Sequence, residues 1–177
     1  MIREAGPEDR ALLEALLLRR IDGAMFPLSN LRTQGVGRGD FPTADFRASR
    51  FWLVGGQGVV GVNRRGMVMP LLEGGADLSG LRAAMAGCLV SGAVGPVACV
   101  RQVLAALGLE RTPTRLDRDE PGFALDLAAL QVPDVAGAVL VPASDAWRDV
   151  LVAWRAAYHG DVLGTVGRQA QDRAPDA

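Results

Sequence analysis

The stretch Gly66–Ala86, GMVMPLLEGGADLSGLRAAMA, carries the pattern on which the fold prediction rests. Its apolar first part predicts a strand, its central glycines predict a loop, and the residues from Leu78 onward predict a helix. A strand that leads through a glycine loop to a helix N-terminus can hold an anion, because free backbone N–H groups and the helix dipole point at one spot. The residues of the loop therefore decide whether the protein has an anion site here.

The bulk composition of the 177-residue chain is that of a globular protein of one domain, or of one domain and a fragment. Its 19 basic residues, all arginine, nearly balance its 20 acidic residues, and the net charge is -1. This balance argues against a general surface for nucleic acid or for an anionic membrane. The N-terminus lacks the pattern of a signal peptide, and no apolar run approaches the ~20 residues of a membrane span. We therefore expect a cytoplasmic protein.

Helices and strands are predicted to alternate through most of the chain. Before the opening stretch we expect a short strand at residues 2–5, helices at Arg10–Arg20 and Met25–Gln34, and strands at Phe46–Val54 and Val59–Asn63. From the opening stretch onward we expect strand Met67–Leu71, helix Leu78–Ala86, strand Cys88–Val94, helix Val97–Leu107 and strand Phe123–Leu127. Gly23 is expected to end the first helix. The order β-α-α-β-β-β-α-β-α-β predicts an α/β (α+β) fold, with a mixed, mostly antiparallel central sheet and helices on both faces.

The C-terminal part of the chain is predicted to be organised separately. We expect a first domain at residues 1–130, a linker at 131–137, and an incomplete second unit with a frayed tail at 138–177. In this second unit, strand Ala138–Val141 precedes helix Ala146–Tyr158. Trp147 and Trp154 are seven residues apart and share one face of that helix. An exposed aromatic face of this kind usually marks an interface, so we expect a partner there.

Several segments of the chain resemble one group of bacterial proteins in the GNAT acetyltransferase superfamily. They are PEDRALLEALLLRR (7–20), FPLSNLR (26–32), GPVACVRQVLAALGL (95–109), LDRDEPGFALDLAAL (116–130) and SDAWRDVLVAWRAAYHGDVLGT (144–165). The resemblance implies two GNAT-like units in tandem, of which the N-terminal unit is commonly degenerate and the C-terminal unit binds acetyl-CoA. Since only the start of a second unit is found, we expect this chain to be the non-catalytic half. Its expected partner is a catalytic GNAT unit or a second copy.

The activity implied by the resemblance is acyl transfer from acetyl-CoA to an amine. The amine would attack the thioester directly, backbone N–H groups would stabilise the oxyanion, and a carboxylate or water would take the proton. The chain offers no identifiable base, so the catalytic residues are unknown. The competing interpretation is a non-catalytic interaction or substrate-shaping module that does not bind acetyl-CoA.

The pyrophosphate loop of the family, Arg/Gln-x-x-Gly-x-Gly/Ala, corresponds to Leu72–Gly80 in this chain. The candidate cofactor-binding residues are Gly74, Gly75, Ser79 and Gly80. The expected Arg or Gln is missing, and Glu73 and Asp77 place two carboxylates beside the anion. Each like charge opposes binding by about 1 kcal/mol even when solvated. We therefore favour a structural turn and helix cap over a cofactor site.

The remaining candidates for chemistry have ordinary structural explanations. A literal match to the loop motif at Arg32–Gly37 leaves a helix instead of entering one, which predicts no cradle. His159 is the only histidine, and no cluster has metal-ligand spacing, so we expect no metal. Cys88 and Cys99 are expected to be free thiols. Within the pair Phe51-Trp52 on a predicted strand, we expect one ring in the core and the other at the surface.

Overall fold

A computed structural model describes residues 1–123, 125–131, 137, 139 and 141–162. The chain divides into two compact units, Met1–Leu125 and Asp126–Ala177. The helices of the first unit are α1 Arg10–Leu18, α2 Ile21–Gln34, α3 Leu81–Ala84 and α4 Val97–Leu107. Its strands are β1 Ile2–Glu4, β2 Ser49–Val54, β3 Gly58–Asn63, β4 Met67–Leu72 and β5 Gly92–Ala93. No helix among the described residues is long and apolar enough to cross a membrane.

The five strands form one sheet in the order β1-β2-β3-β4-β5. The first four pair antiparallel, and β5 pairs parallel to β4 through Met67↔Gly92 and Val68↔Ala93. Gly55 and Gly56, both with positive φ, make the tight turn between β2 and β3, as such hairpins require. The predicted mixed, mostly antiparallel sheet is thus confirmed.

Helices cover both faces of this sheet, so apolar clusters lie on each side. On one face, Phe51 packs in a cluster with residues of α1 and α2. On the other, Trp52 packs with Leu81 of α3 and Val103 of α4. Phe51 and Trp52 are both fully buried, and the expectation that one of the two rings lies at the surface was wrong. A strand covered on both faces buries its odd and its even positions alike.

Gly23 lies inside α2 and does not end α1, contrary to the prediction. A Cβ atom at this position would come 2.6 Å from Cγ of Pro96 and 3.3 Å from Leu71. The glycine therefore allows α2 to approach the start of α4 closely. Gly108, in contrast, ends α4 in the left-handed conformation, with φ of 74°, at the predicted place.

Helix α3 and strands β2 and β5 are shorter than predicted, the first two because side-chain hydrogen bonds favour a local turn. Helix α3 begins only at Leu81, since Asp77 accepts a hydrogen bond from the Ser79 N–H and Gly80 is left-handed. Strand β2 begins at Ser49 and not Phe46, since Asp45 accepts from the Arg47 N–H. Strand β5 contains only Gly92–Ala93 of the predicted Cys88–Val94.

The prediction of a last strand in the first domain, Phe123–Leu127, was wrong for the residues that the structure describes. Asp126 accepts a hydrogen bond from the Ala128 N–H and begins a 3-10 helix at Leu127–Ala129. The ten-element order expected of a GNAT fold is therefore not reproduced in full. In the second unit, a 3-10 turn at Asp145–Trp147 leads into α5, Arg148–Asp161. The predicted strand Ala138–Val141 lies partly outside the described residues.

Candidate functional site

The loop Glu73–Gly80 connects β4 to α3 at the carboxyl end of β4. This end of a parallel strand pair is where α/β sheets commonly bind ligands. The candidate residues Gly74, Gly75, Ser79 and Gly80 are all exposed along this loop. The loop is therefore accessible, and its hydrogen bonding decides what it can bind.

Some of the backbone donors in and just after the loop are used locally. The N–H groups of Ala76 and Leu81 donate to the carbonyl groups of Glu73 and Leu78, at 3.3 and 3.0 Å. The N–H of Ser79 donates to the Asp77 carboxylate at 2.8 Å. Because α3 has only four residues, it also supplies little helix dipole. In the described part of the chain, the N–H groups of Gly74, Gly75 and Gly80 form no such hydrogen bond. The loop thus has the strand-glycine-helix order of an anion cradle, with only part of its donors closed.

Both carboxylates that the sequence placed in the loop are exposed. Oε1 of Glu73 lies 3.3 Å from Nη1 of Arg19, in an ion pair that water screens on both sides. Hydrogen bonds from the hydroxyl and the N–H of Ser79 lower the pKa of Asp77. Asp77 is therefore charged at neutral pH and repels an incoming phosphate.

The adjoining edge of β4 is also closed to an oxyanion. Val68, Pro70 and Leu72 direct their backbone groups toward the β5 side, where Val94 donates to the Val68 carbonyl. Pro70 has no N–H to offer. The Leu72 N–H lies 3.4 Å from Sγ of Cys99, and the thiol donates in turn to the Leu72 carbonyl. Sequence reasoning missed this closure, although a proline inside a predicted strand is the expected sign of an interrupted ladder.

A shallow cleft lies beside the loop, between the end of α1, the β2–β3 turn and the end of β4. Its volume is about 240 Å³ even with the open solvent at its mouth counted, so its enclosed part is well below the ~300–1,000 Å³ of typical ligand pockets. Leu16, Val59 and Leu71 line it with apolar surface. Nη1 of Arg20 donates to the Leu72 carbonyl at 3.4 Å across its rim. The cleft therefore does not extend the loop into a pocket large enough for a nucleotide cofactor.

The aromatic face of α5 is exposed, as its spacing predicted. Trp147 and Trp154 are 52% and 69% exposed, and Leu151 and Tyr158 extend the same face. These four residues follow each other at intervals of four, three and four, the spacing of a helix-packing seam. His159, in the last turn of α5, is buried.

The other candidates have no arrangement for catalysis. Cys88 and Cys99 are free thiols, and burial raises the pKa of the Cys88 thiol, so that it is a poor nucleophile. Within the literal motif, Arg32 pairs with Glu14 and Gln34 accepts a hydrogen bond from the Thr43 hydroxyl, both at the surface of the fold. Among the described residues, no group of three or more His, Cys, Asp or Glu side chains could hold a metal ion.

Comparison with known proteins gave no relative for this chain. Neither the family models, nor the curated proteins, nor the solved structures contained a match. The function is therefore inferred from the geometry of the loop, the β4 edge and the α5 face.

Proposed function

We propose that this chain is a GNAT-like module that does not bind acetyl-CoA and acts by association with a partner. The observation that carries this proposal is the acidic and partly closed loop after β4. Its Ala76, Ser79 and Leu81 N–H groups bond within the loop, while Glu73 and Asp77 carry negative charge beside them.

The physical basis is that a pyrophosphate is bound by several donors aimed at one point. A helix N-terminus supplies such donors only when its first N–H groups are unpaired. Here the N–H groups of Ala76, Ser79 and Leu81 are already used, and an anion would have to approach two carboxylates. The edge of β4 likewise presents Pro70 and the Cys99-bonded Leu72 to any acyl group. Catalytic acyl transfer at this position is therefore disfavoured for two reasons: the loop opposes binding of the pyrophosphate, and the β4 edge does not stabilise an oxyanion.

The association half of the proposal rests on the aromatic face of α5. Tryptophan and tyrosine are enriched where protein interfaces are buried, and this face exposes two tryptophans and a tyrosine. The proposed partner is a catalytic GNAT unit or a second copy of this chain. The even charge balance and the free thiols fit a cytoplasmic location, which we include in the proposal.

The second candidate function is acetyl-CoA-dependent N-acetyl transfer. One observation favours it, since a glycine loop lies at the carboxyl end of the parallel β4–β5 pair. In that case Gly74, Gly75, Ser79 and Gly80 would bind the cofactor after the loop rearranges.

Thermal melting with and without millimolar acetyl-CoA separates the two. A ligand at ~100 times its dissociation constant adds about 2.7 kcal/mol of stability. For a domain of this size that raises the melting temperature by about 5 °C or more. We expect no rise for the natural chain, and a saturable rise would contradict the proposal.

A matched variant tests whether charge is the cause. The double substitution Glu73→Gln and Asp77→Asn removes both charges and keeps an oxygen acceptor for the Ser79 N–H. If it also shows no rise with acetyl-CoA, the shape and hydrogen bonding of the loop exclude the cofactor without the charges. If it gains a rise, the carboxylates alone block the site.

A further inference from the structure

Two adjacent arginines lie at the opposite end of β4, on the turn Asn63–Gly66. The guanidinium carbon of Arg64 lies 5.6 Å from the ring centre of Phe41, and that of Arg65 lies 4.5 Å from the ring centre of Phe46. Within the described part of the chain, neither guanidinium forms an ion pair with a carboxylate. Stacking on a ring restrains the guanidinium plane and leaves N–H groups available to other acceptors.

The backbone that carries these arginines is firmly held. Oδ1 of Asn63 accepts from the N–H groups of Arg65 and Met67, at 3.0 and 2.9 Å. The Arg64 N–H donates to the carbonyl of Ala48, and the Ser91 hydroxyl donates to the carbonyl of Arg65. The side chains are therefore presented from a fixed turn, which reduces the entropy lost when they bind.

The neighbouring charges leave these two arginines available. Arg47 stacks on the same Phe46 ring at 5.7 Å, but it forms two hydrogen bonds with the carboxylate of Asp45. The Asp40 carboxylate accepts from the N–H of Phe41. Arg64 and Arg65 thus form a local positive surface on a chain whose overall charge is close to zero.

We propose that Arg64 and Arg65, supported by Phe41 and Phe46, bind an oxyanion. The ligand class is a carboxylate or phosphate group carried by a partner or by a small molecule. Guanidinium groups donate paired hydrogen bonds to both, with better geometry than an ammonium group. This surface is separate from the loop after β4, and it does not depend on whether that loop binds acetyl-CoA.

The test follows the backbone amide signals of the full ¹⁵N-labelled chain by NMR at low salt. One titration uses inorganic phosphate and a second uses a hexaglutamate peptide. We expect saturable shifts centred on Phe46, Arg64, Arg65 and Gly66 that weaken as salt screens the charges. Saturation by phosphate alone assigns a phosphate ligand, saturation by the peptide alone assigns an acidic segment, and saturation by both supports the shared oxyanion chemistry. Shifts that saturate with neither would overturn the proposal.

Matched variants separate a site from general charge. The double substitution Arg64→Ala and Arg65→Ala should weaken binding by about tenfold or more, since two charge-assisted contacts are lost. Arg82→Ala with Arg111→Ala changes the net charge equally at two exposed positions and should bind like the natural chain. Equal weakening in both double variants would contradict a local site. Phe46→Leu keeps both charges and should give an intermediate loss, because it removes only the ring on which Arg65 and Arg47 stack.

Discussion

The two ends of β4 show how similar backbone turns can carry opposite chemistry. The turn Asn63–Gly66 precedes the strand and presents Arg64 and Arg65, whereas the loop Glu73–Gly80 follows it and presents two carboxylates. Each contains a glycine with φ of +81°, Gly66 at one end and Gly75 at the other. The end that leads to a helix, where an anion site is usually sought, is the end with the unfavourable charge. Backbone shape therefore does not by itself indicate what binds.

The difference lies in which groups still have hydrogen-bonding capacity. At the arginine end the backbone N–H groups of residues 64–67 all bond inside the fold, whereas at the acidic end those of Ala76, Ser79 and Leu81 do so. At the arginine end the guanidinium groups bring additional, positively charged donors, whereas at the acidic end the carboxylates bring only acceptors. An anion can therefore be bound at the first end without disrupting the turn, whereas the carboxylates repel it at the second.

The largest expected effect on stability comes from Leu81, the buried residue that directly follows the acidic loop. Leu81 is fully buried with Trp52 and Val103, so Leu81→Ala should lower the free energy of unfolding by about 2–5 kcal/mol. Urea denaturation measures this. Leu89→Ala, at a side chain that is 67% exposed, is the control and should change stability by less than about 0.5 kcal/mol. A small effect at Leu81 would show that packing does not hold this loop.

Substitution of Gly66 or Gly75, the two glycines with φ of +81°, should lower the stability less than Leu81→Ala does, and by unequal amounts. A left-handed conformation costs a non-glycine residue about 1–2 kcal/mol, and this applies equally to Gly66→Ala and Gly75→Ala. At Gly66 the new Cβ would also lie 2.8 Å from the carbonyl oxygen of Leu89, whereas at Gly75 it would meet no atom within 4 Å. We expect Gly66→Ala to be the more destabilising in the same urea assay. Equal losses would contradict the tight packing of the arginine turn.

The smallest effect concerns the acid titration of two carboxylates, Asp45 near the arginine turn and Asp77 in the acidic loop. The Arg47 guanidinium and N–H hold the pKa of Asp45 at about 2, whereas Ser79 lowers that of Asp77. Because the folded pKa of each group lies below its unfolded value of ~4, its contribution to stability is present above pH 4 and is lost as pH falls. Carboxyl ¹³C shifts should show Asp45 titrating near pH 2. Titration near its ordinary pKa would contradict the Asp45–Arg47 pair, and Asp45→Asn should remove that component of the acid sensitivity.

The regular parts of the fold followed from the sequence because their signals are local. The β2–β3 hairpin has two adjacent positive-φ glycines, and α4 has a proline before it and a glycine after it. The errors came from residues with two possible roles. Gly23 has the character of a helix terminator, but it serves a close approach to Pro96, which only the tertiary structure shows. Likewise, Asp126 begins a 3-10 turn where alternation suggested a strand.

The candidate loop was located correctly by sequence, since it does follow β4, but its hydrogen bonding was not predictable. The pairing of Ser79 with Asp77 and the contact between Cys99 and Leu72 depend on atoms brought together by folding. The stacking of Arg64 on Phe41 and of Arg65 on Phe46 was missed for the same reason, because the partners are 23 and 19 residues apart in the sequence. The adjacent pair Arg64-Arg65 on a turn was the available signal.

The central claim, that the loop after β4 does not bind acetyl-CoA, is tested most directly at its own residues. The measurement is an amide NMR titration of the full chain with acetyl-CoA to millimolar concentration, observed at Gly74, Gly75, Ser79 and Gly80. The charges of Glu73 and Asp77, together with the hydrogen bonds already formed within the loop, predict no saturable shift at these four positions. Saturable shifts at all four, with a common dissociation constant, would contradict the account and restore the loop as a cofactor site.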